Sequence, residues 1–581
     1  MTPKVVLARA LGPFVAPRER PIGRLGGSTF ALAQEVRAAL GASLGPRASL
    51  LEISEGPDEG AAIELVADFD ACWSGDRALR EPADFRPHLS PDGLAGLDGA
   101  FALAWIDEAG ALCLARDAIG ERSLFFAQTR QGVVFASTVR ALLATGLIPR
   151  VLDPVGVAQY LACAYVPSGR TLVAGIEAVM PGEIVRFARS GEVARAPYWQ
   201  PLPETEMGTI DDADALRVDL RARLEAAIRR RLSSGEPIGA SLSGGLDSSL
   251  VVALIRHLSD APLQTFSISF GPQHPNELQW SSLVAAHCGT DHTILEIPPE
   301  AIVAHMDDAS AAFDRPVGDP LSVPNALLFR HVAEHVGVLF NGEGGDPCFG
   351  GPKNLPMVLA ELYGDANNAP GDPFRRERTY FRSHQRVYDE LGALLTPDAR
   401  AAIADDVLER ELAPLFRDPR WGTFVNKLMM INLILKGGHH ILPKVDALSG
   451  TFGVRPRSPL FDRHVVDAAF RIPPQLKLRG AVEKWLLKQA VADVVPQAIL
   501  DRPKAGMGVP VEAWFYGPLR SYARERLIDG LPKFGIFERD MLERLLNTKK
   551  ATGLRERRGS KIWLLITLEA WLRRVLVTPD P

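Results

Sequence analysis

The stretch Ser-Leu-Ser-Gly-Gly-Leu-Asp-Ser-Ser-Leu at residues 241–250 constrains the fold of this chain more than any other. It follows the strand candidate Pro237-Ile238-Gly239-Ala240-Ser241-Leu242 and precedes the apolar run Leu250-Val251-Val252-Ala253-Leu254-Ile255, which reads as a helix. A glycine-rich turn from strand to helix aims backbone N–H groups outward, with the positive end of the helix dipole behind them. That is an anion site built into a βα unit. The triphosphate loop G-x-x-x-x-G-K-[ST] is excluded because the segment has no lysine, and the dinucleotide fingerprint G-x-G-x-x-G is absent too. Ser243, Gly244, Gly245, Ser248 and Ser249 supply N–H and O–H donors for phosphate oxygens. Asp247 repels a bare phosphate and makes sense only where a cation lies between the two. Serine caps on a plain βα turn account for one or two of these residues, not for the whole string with its aspartate.

The neighbouring sequence agrees with an α/β unit. From Asp211 the chain is amphipathic at helical period, with acidic residues at its start. A strand candidate, Thr265-Phe266-Ser267-Ile268-Ser269-Phe270, precedes a helix near 277–288. Another, Val336-Gly337-Val338-Leu339-Phe340, runs into Asn341-Gly342-Glu343-Gly344-Gly345-Asp346. Strands alternating with helices predict a parallel sheet. The first 200 residues differ: Ala100-Phe101-Ala102-Leu103-Ala104-Trp105-Ile106 and Gly132-Val133-Val134-Phe135-Ala136 read as half-buried antiparallel strands. Residues 201–208 are polar and Pro/Gly-bearing, which predicts a linker, and residues 385–581 look mostly helical. With 581 residues the chain exceeds what one core supports, so two domains are expected, at 1–205 and 210–581.

Composition sets limits on function. A net charge of −5 gives no basic excess to attract nucleic acid. There is no run of 18 apolar residues for a membrane span and no apolar leader near the start. The five cysteines (Cys72, Cys113, Cys163, Cys288, Cys348) are scattered without CxxC spacing, as reduced thiols in a cytoplasm would be. His439-His440 cannot share one helix face and reads as a surface or core-edge pair, while Trp485, Trp514, Trp563 and Trp571 read as helix packing.

Taken together, the motifs resemble those of asparagine synthetases. The string SGGLDSS is similar to the pyrophosphate loop of ATP pyrophosphatases, which split ATP between the α and β phosphates. Residues 341–346 followed by Phe349-Gly350-Gly351 resemble the family's second acidic loop. Lys444-Val445-Asp446 with Ser449, Arg457, Pro459 and Asp462 resembles its K-V-D…S…R-x-P-x-x-D segment. Glu483-Lys484 and Arg502-Pro503-Lys504…Gly508-Val509-Pro510 resemble its later lysine-bearing stretches. In the first half, Leu114-Ala115-Arg116-Asp117…Gly120, Phe135-Ala136-Ser137 and Tyr165-Val166-Pro167…Arg170-Thr171-Leu172…Gly175-Ile176 resemble the amidotransferase domain that these enzymes carry. The resemblance implies an αββα Ntn-hydrolase-like sandwich, then a pyrophosphate-loop parallel sheet with a helical extension. It implies ATP and Mg²⁺, with Asp247 and Asp346 as metal carriers. Ser243, Gly244, Gly245, Asp247, Ser248, Ser249, Ser269, Gly342 and Asp346 are implied at the nucleotide. Glu343, Lys484 and Lys504 are implied in catalysis. The implied reaction adenylates a carboxylate, releases pyrophosphate and forms an amide.

Two departures modify what carries over. Glutamine-hydrolysing members start with a cysteine nucleophile after methionine removal; this chain starts Met1-Thr2-Pro3-Lys4. The region Leu65-Val66-Ala67-Asp68-Phe69-Asp70 also lacks the family's N-G-E glutamine-pocket pattern. A glutaminase fold without glutaminase activity is expected, with Arg116 and Asp117 structural. Secondly, Arg455 stands two residues before Arg457, where the family has glutamate. Charge reversal beside an acceptor pocket puts aspartate as substrate in doubt. The same loss of cysteine marks β-lactam synthetases, which place tyrosine where Glu343 stands, and lasso-peptide macrolactam cyclases, to which Pro352-Lys353-Asn354-Leu355-Pro356-Met357 would offer an acceptor loop. Expected partners are a small-molecule or peptide carboxylate, a separate ammonia source or precursor peptide, and a second copy of the chain in a homodimer. Intramolecular amide closure stays open as an alternative, as does a catalytically silent scaffold.

Overall fold

Alternation in the first 200 residues becomes antiparallel pairing. The structure, a computed structural model, describes residues 4–7, 22–24, 65–130, 132–232, 236–351, 355–363, 371–384, 386–503, 506–547 and 557–577. Its first strands are β1 (Lys4–Leu7), β2 (Ile22–Arg24), β3 (Leu65–Ser74), β4 (Arg77–Leu79), β5 (Leu97–Ile106) and β6 (Leu112–Arg116). They continue as β7 (Phe125–Thr129), β8 (Gly132–Ala136), β9 (Glu177–Ala178), β10 (Glu183–Phe187) and β11 (Val193–Pro197). One sheet runs β11-β10-β6-β5-β3-β4 and another β2-β8-β7-β9. Inward side chains of the first (Ala102, Leu114, Val185) meet Phe126 and Phe135 of the second in a shared core. Phe85 and Leu94 cover the first sheet's outer face through Phe101 and Leu103. Helices α1 (Val139–Ala144) and α2 (Pro154–Cys163) cover the second. Both start where the sequence caps them: Thr138 Oγ accepts from the Ala141 N–H at 3.1 Å, and Asp153 precedes Pro154 at the first helical position. This is the expected αββα order. β1 stands apart, pairing in parallel with residues 293–296 of the second half.

After the linker the strands turn parallel. Helices α3 (Ala213–Arg231), α4 (Leu246–Leu258) and α5 (Ser322–Ala333) alternate with β12 (Ile238–Ser241), β13 (Leu263–Ser269), β14 (Asp291–Glu296) and β15 (Val338–Phe340). The sheet closes with β16 (Arg455–Arg457), in the order β1-β14-β13-β12-β15-β16. α4 has an unbroken buried run from Ser248 to Ile255, as a helix wedged against a sheet requires. The order reverses at β12: β13 and β14 lie on one side, β15 and β16 on the other. In such sheets the crevice at the carboxyl ends beside the reversal is the natural ligand position. The two glycine-rich loops, after β12 and after β15, leave the sheet there.

The last third is helical, including α6 (Leu442–Phe452) and α7 (Arg558–Trp571), apart from β16 and a short hairpin at 478–483. Arg-Pro-Arg carries no strand pattern; Pro456 lacks an N–H and is tolerated because β16 is an edge strand. Trp514, Trp563 and Trp571 are buried, while Trp485 is half-buried under Arg479, 4.4 Å from its ring centroid. Of the two positions expected for His439 and His440, surface or core edge, the surface is excluded. Both are buried: His439 lies 3.3 Å from Arg315, and His440 stacks on Tyr165 with centroids 4.9 Å apart. Among the described residues no helix is long and apolar enough to cross a membrane.

Candidate active site

The first loop is organised by its own hydroxyls. α4 begins at Leu246, so Gly244 and Gly245 make the turn and Asp247, Ser248 and Ser249 fall in the first helical turn. Gly244 has φ +77°, and a Cβ there would run into Trp280 and the Ser281 backbone. The Ser243 N–H donates to Ser248 Oγ at 3.2 Å, and the two hydroxyls lie 3.0 Å apart. The Gly245 N–H donates to Ser243 Oγ at 3.3 Å. Ser249 Oγ is buried with no hydrogen-bond partner. Ser269, ending β13, is buried and its hydroxyl accepts the Gly271 N–H at 3.1 Å. Arg502 straps the turn: it donates to the Gly244 carbonyl at 2.8 Å, pairs with Glu277 and lies 5.0 Å over Trp280. Expectation placed Arg502 in a motif but not in the site; only packing across 258 residues of sequence reveals the strap.

The second loop is pressed against the first. Its anchor is Asn341, whose N–H donates to the Arg457 carbonyl at 2.9 Å and whose amide donates to Ser458 Oγ at 3.0 Å. Asn341 Oδ1 accepts the Glu343 N–H at 3.0 Å, which sets the turn. A Cβ on Gly342 would collide with the Asp247–Ser248 backbone, and one on Gly345 with the Asp247 carboxylate. Lacking those atoms, the loop brings Asp346 to Asp247. Between them stands Lys484: its Nζ donates to Asp247 at 2.8 and 2.6 Å and lies 2.6 Å from Asp346 Oδ1. Lys484 is 3% exposed and has a left-handed backbone, φ +52°. Such a conformation costs on the order of 1–3 kcal/mol outside glycine, and the two carboxylates fix it. Burial opposes its charge, and Asp247 followed by Asp346 outweigh burial, holding the ammonium well above the usual lysine range.

The predicted residues Ser243, Gly244, Gly245, Asp247, Ser248, Ser249, Gly342, Asp346 and Lys484 thus come together. Ser269 and Glu343 stand at the carboxyl ends of β13 and β15. Lys504 lies outside the described residues, as do Thr2 and residues 352–354. Asp247 and Asp346 each bring a carboxylate oxygen within 2.6 Å of the one Lys484 nitrogen, so the two acidic groups converge on one spot. That donor set fits Mg²⁺, which takes one or two carboxylates together with phosphate oxygens.

Charges in the sandwich are arranged differently. Arg116, fully buried, donates to the carbonyls of Arg122, Val179, Gly120 and Gly438, the last across the seam to the second half. Asp117 accepts three backbone N–H groups, from Gly120, Glu121 and Arg122, at 2.7–2.8 Å. Both serve as backbone braces. The K-V-D…R-x-P-x-x-D segment supplies the other side of this seam. Asp446 pairs with Arg122 at 2.8 Å and Arg457 with Asp70 at 2.6 Å, both across the seam, whereas Asp462 pairs within its own half, with Arg231 at 2.5 Å and with Arg230. Burial works against the Asp70 charge; Arg457 and Arg122 outweigh it and hold the carboxyl below its ordinary range. Lys444 faces Asp319 at 3.5 Å. Arg455 is a correction: it begins β16 and pairs with Glu236, which precedes β12, so it sits at the amino ends of the strands, away from both loops.

A family profile described as asparagine synthase matches residues 219–573, and one described as a glutamine amidotransferase domain matches residues 88–199. The glutamine-hydrolysing asparagine synthetase 1 of Bacillus subtilis (strain 168) is 25% identical over 515 residues, covering 83% of this chain and 79% of that protein. A putative glutamine-hydrolysing asparagine synthetase of Mycobacterium bovis is 27% identical over 456 residues, covering 74% and 69%. The amidase chry2 of Gibberella zeae is 23% identical over 500 residues, covering 75% and 73%.

Proposed function

The chain belongs to the asparagine synthase family, and from that membership we propose that it adenylates a substrate carboxylate with ATP and couples the acyl group to ammonia or an amine. The observation that carries this reading is the Lys484 ammonium held between Asp247 and Asp346 beside the hydroxyl-rich turn. A carboxylate is a poor electrophile at neutral pH and needs a leaving group. Its oxygen attacks the α-phosphorus, the bond to the bridging oxygen breaks, and pyrophosphate leaves. The N–H and O–H groups of Ser243, Gly244, Gly245, Ser248 and Ser249 hold that pyrophosphate, and Lys484 neutralises the charge it develops. Lys504 is assigned a second positive charge at the phosphates. Mg²⁺, held by Asp247 and Asp346, supplies phosphate charge screening when bound. The amine then attacks the acyl carbon, AMP departs, and Glu343 takes the amine proton.

The same proposal divides labour along the chain. Residues 210–581 form the synthetase half. Residues 1–205 form an amidotransferase-like half that releases no ammonia from glutamine, although β1 is lent to the second sheet. Supporting this, all five cysteines are buried. Burial raises their thiols, Cys113 and Cys348 to about 12 and Cys288 to about 11, so none is a thiolate nucleophile at neutral pH. The test is carboxylate-dependent ATP–pyrophosphate exchange by the full chain across a panel of small acids and peptides. Exchange with one acid, and AMP as product, is expected. ADP as product, or ATP binding without exchange on any acid, would contradict adenylation, the latter in favour of a silent scaffold.

A further inference from the structure

The end of α5 carries His331-Val332-Ala333-Glu334-His335, a run that the proposed reaction leaves unused. His331 lies in the last turn of α5, and Glu334, its capping residue, and His335 follow in the turn at spacing i, i+3, i+4. His331 is 3% exposed, and neither of its ring nitrogens has a hydrogen-bond partner. A buried imidazole with both nitrogens unsatisfied is a group waiting for a ligand. Its neighbour is already oriented. His335 Nδ1 lies 2.9 Å from the His331 carbonyl oxygen, which only accepts, so Nδ1 carries the hydrogen and Nε2 presents its lone pair. A backbone carbonyl behind the second ring nitrogen is the usual support of a metal-binding histidine. Glu334 Oε2 is 3.9 Å from His331 Nδ1, and one ligand atom from each residue lies within 4.8 Å of the others.

We propose that His331, Glu334 and His335 form a site for a divalent transition ion of the Zn²⁺ class, with its fourth position open to water. Two imidazoles and one carboxylate select such an ion over Mg²⁺ or Ca²⁺. Tetrahedral bonds of about 2.1 Å place ligand atoms roughly 3.4 Å apart. Glu334 is exposed, and a change of its rotamer would close its share of the remaining distance while His335 keeps the carbonyl behind Nδ1. The negative end of the α5 dipole favours a cation here, with Arg330 as the nearby competitor for Glu334. The site is separate from the phosphate loops: α5 leads into the amino end of β15, while the loops leave from carboxyl ends. An ion here would pin the turn between α5 and the strand that carries residues 341–346.

The experiment uses the full chain stripped with a chelator, with Mg²⁺ in excess to occupy the Asp247–Asp346 pair. Zn²⁺ is titrated by calorimetry, and Co²⁺ by the visible absorption that reports tetrahedral ligation. One ion per chain is expected. Glu334→Gln should weaken binding about 10–100-fold and His335→Ala by more than that, since even outer-shell losses cost this much. Both residues are exposed, so the variants should keep the wild-type circular dichroism and unchanged ATP–pyrophosphate exchange. Zn²⁺ binding undiminished in His335→Ala, or none in the wild type, would overturn the site. Neither result depends on adenylation.

Discussion

Two clusters of charge in this molecule use the same residue types to opposite ends. At the switch point of the parallel sheet, one lysine stands between two aspartates beside a turn of serines and glycines. At the seam of the sandwich, Arg116, Arg122, Arg457, Asp70, Asp117 and Asp446 pair with one another and brace the backbone. The difference lies in what surrounds the charges. Gly342 and Gly345 let one backbone lie on another, so carboxylates converge where a phosphate can approach. In the seam every guanidinium meets a carbonyl or a carboxylate of the other half, and what results is adhesion. Charge alone marks neither function; the steric setting decides.

The comparison is sharpest under substitution. Asp247→Ala should abolish exchange, while Asp70→Ala should leave exchange at saturating substrate within a few-fold and lower stability by about 3–5 kcal/mol. The latter is the usual consequence of leaving the buried Arg457 without its carboxylate, while Arg122 keeps Asp446. Chemical denaturation and exchange on both variants read the two effects; full exchange by Asp247→Ala would break the contrast. Lys484→Met should cost roughly 100- to 1,000-fold in turnover, the scale of losing one preorganised charge stabiliser, and steady-state rates check it. Gly345→Ala should follow Asp247→Ala in losing exchange, because the new Cβ displaces the Asp247 carboxylate, with near-wild-type circular dichroism.

The smallest effect is in acid. Burial opposes the charge on Asp462; Arg231 and Arg230 outweigh it and bring the carboxyl to about 2. A depressed carboxyl stabilises the fold fully above its unfolded value, about 3.9, and loses that contribution as pH falls through about 2. Stability should therefore fall between about pH 4 and pH 2 in the wild type and change less over that window in Asp462→Asn. Equal slopes in a denaturation series would show that Asp462 carries no such linkage.

How much of this was legible in the sequence follows from distance along the chain. The turn at 243–249 and the loop at 341–346 were readable because donors, glycines and a following helix are local requirements. Alternation and turn residues marked the antiparallel strands, while the αββα order came only with the resemblance to the amidotransferase domain. β16 was not readable, since Arg-Pro-Arg becomes a strand only beside β15. Nor was the fate of Arg455, expected near an acceptor pocket and found on Glu236 at the other end of the sheet. For His439 and His440 the sequence left surface and core edge both open; Arg315 and Tyr165 bury them. The K-V-D segment was recognisable as a motif, but its role as one side of the seam required Arg122 and Asp70 from more than 300 positions away.

The central claim is that the parallel-sheet half makes an acyl-adenylate while the sandwich half releases no ammonia. The most direct measurement follows AMP and glutamate together in the full chain, with ATP, Mg²⁺ and an accepted carboxylate, supplying first ammonia or an amine and then glutamine alone. AMP and amide product with ammonia or amine, and no glutamate released from glutamine, is the predicted result. Glutamate appearing in step with AMP when glutamine is the only nitrogen source would contradict the account.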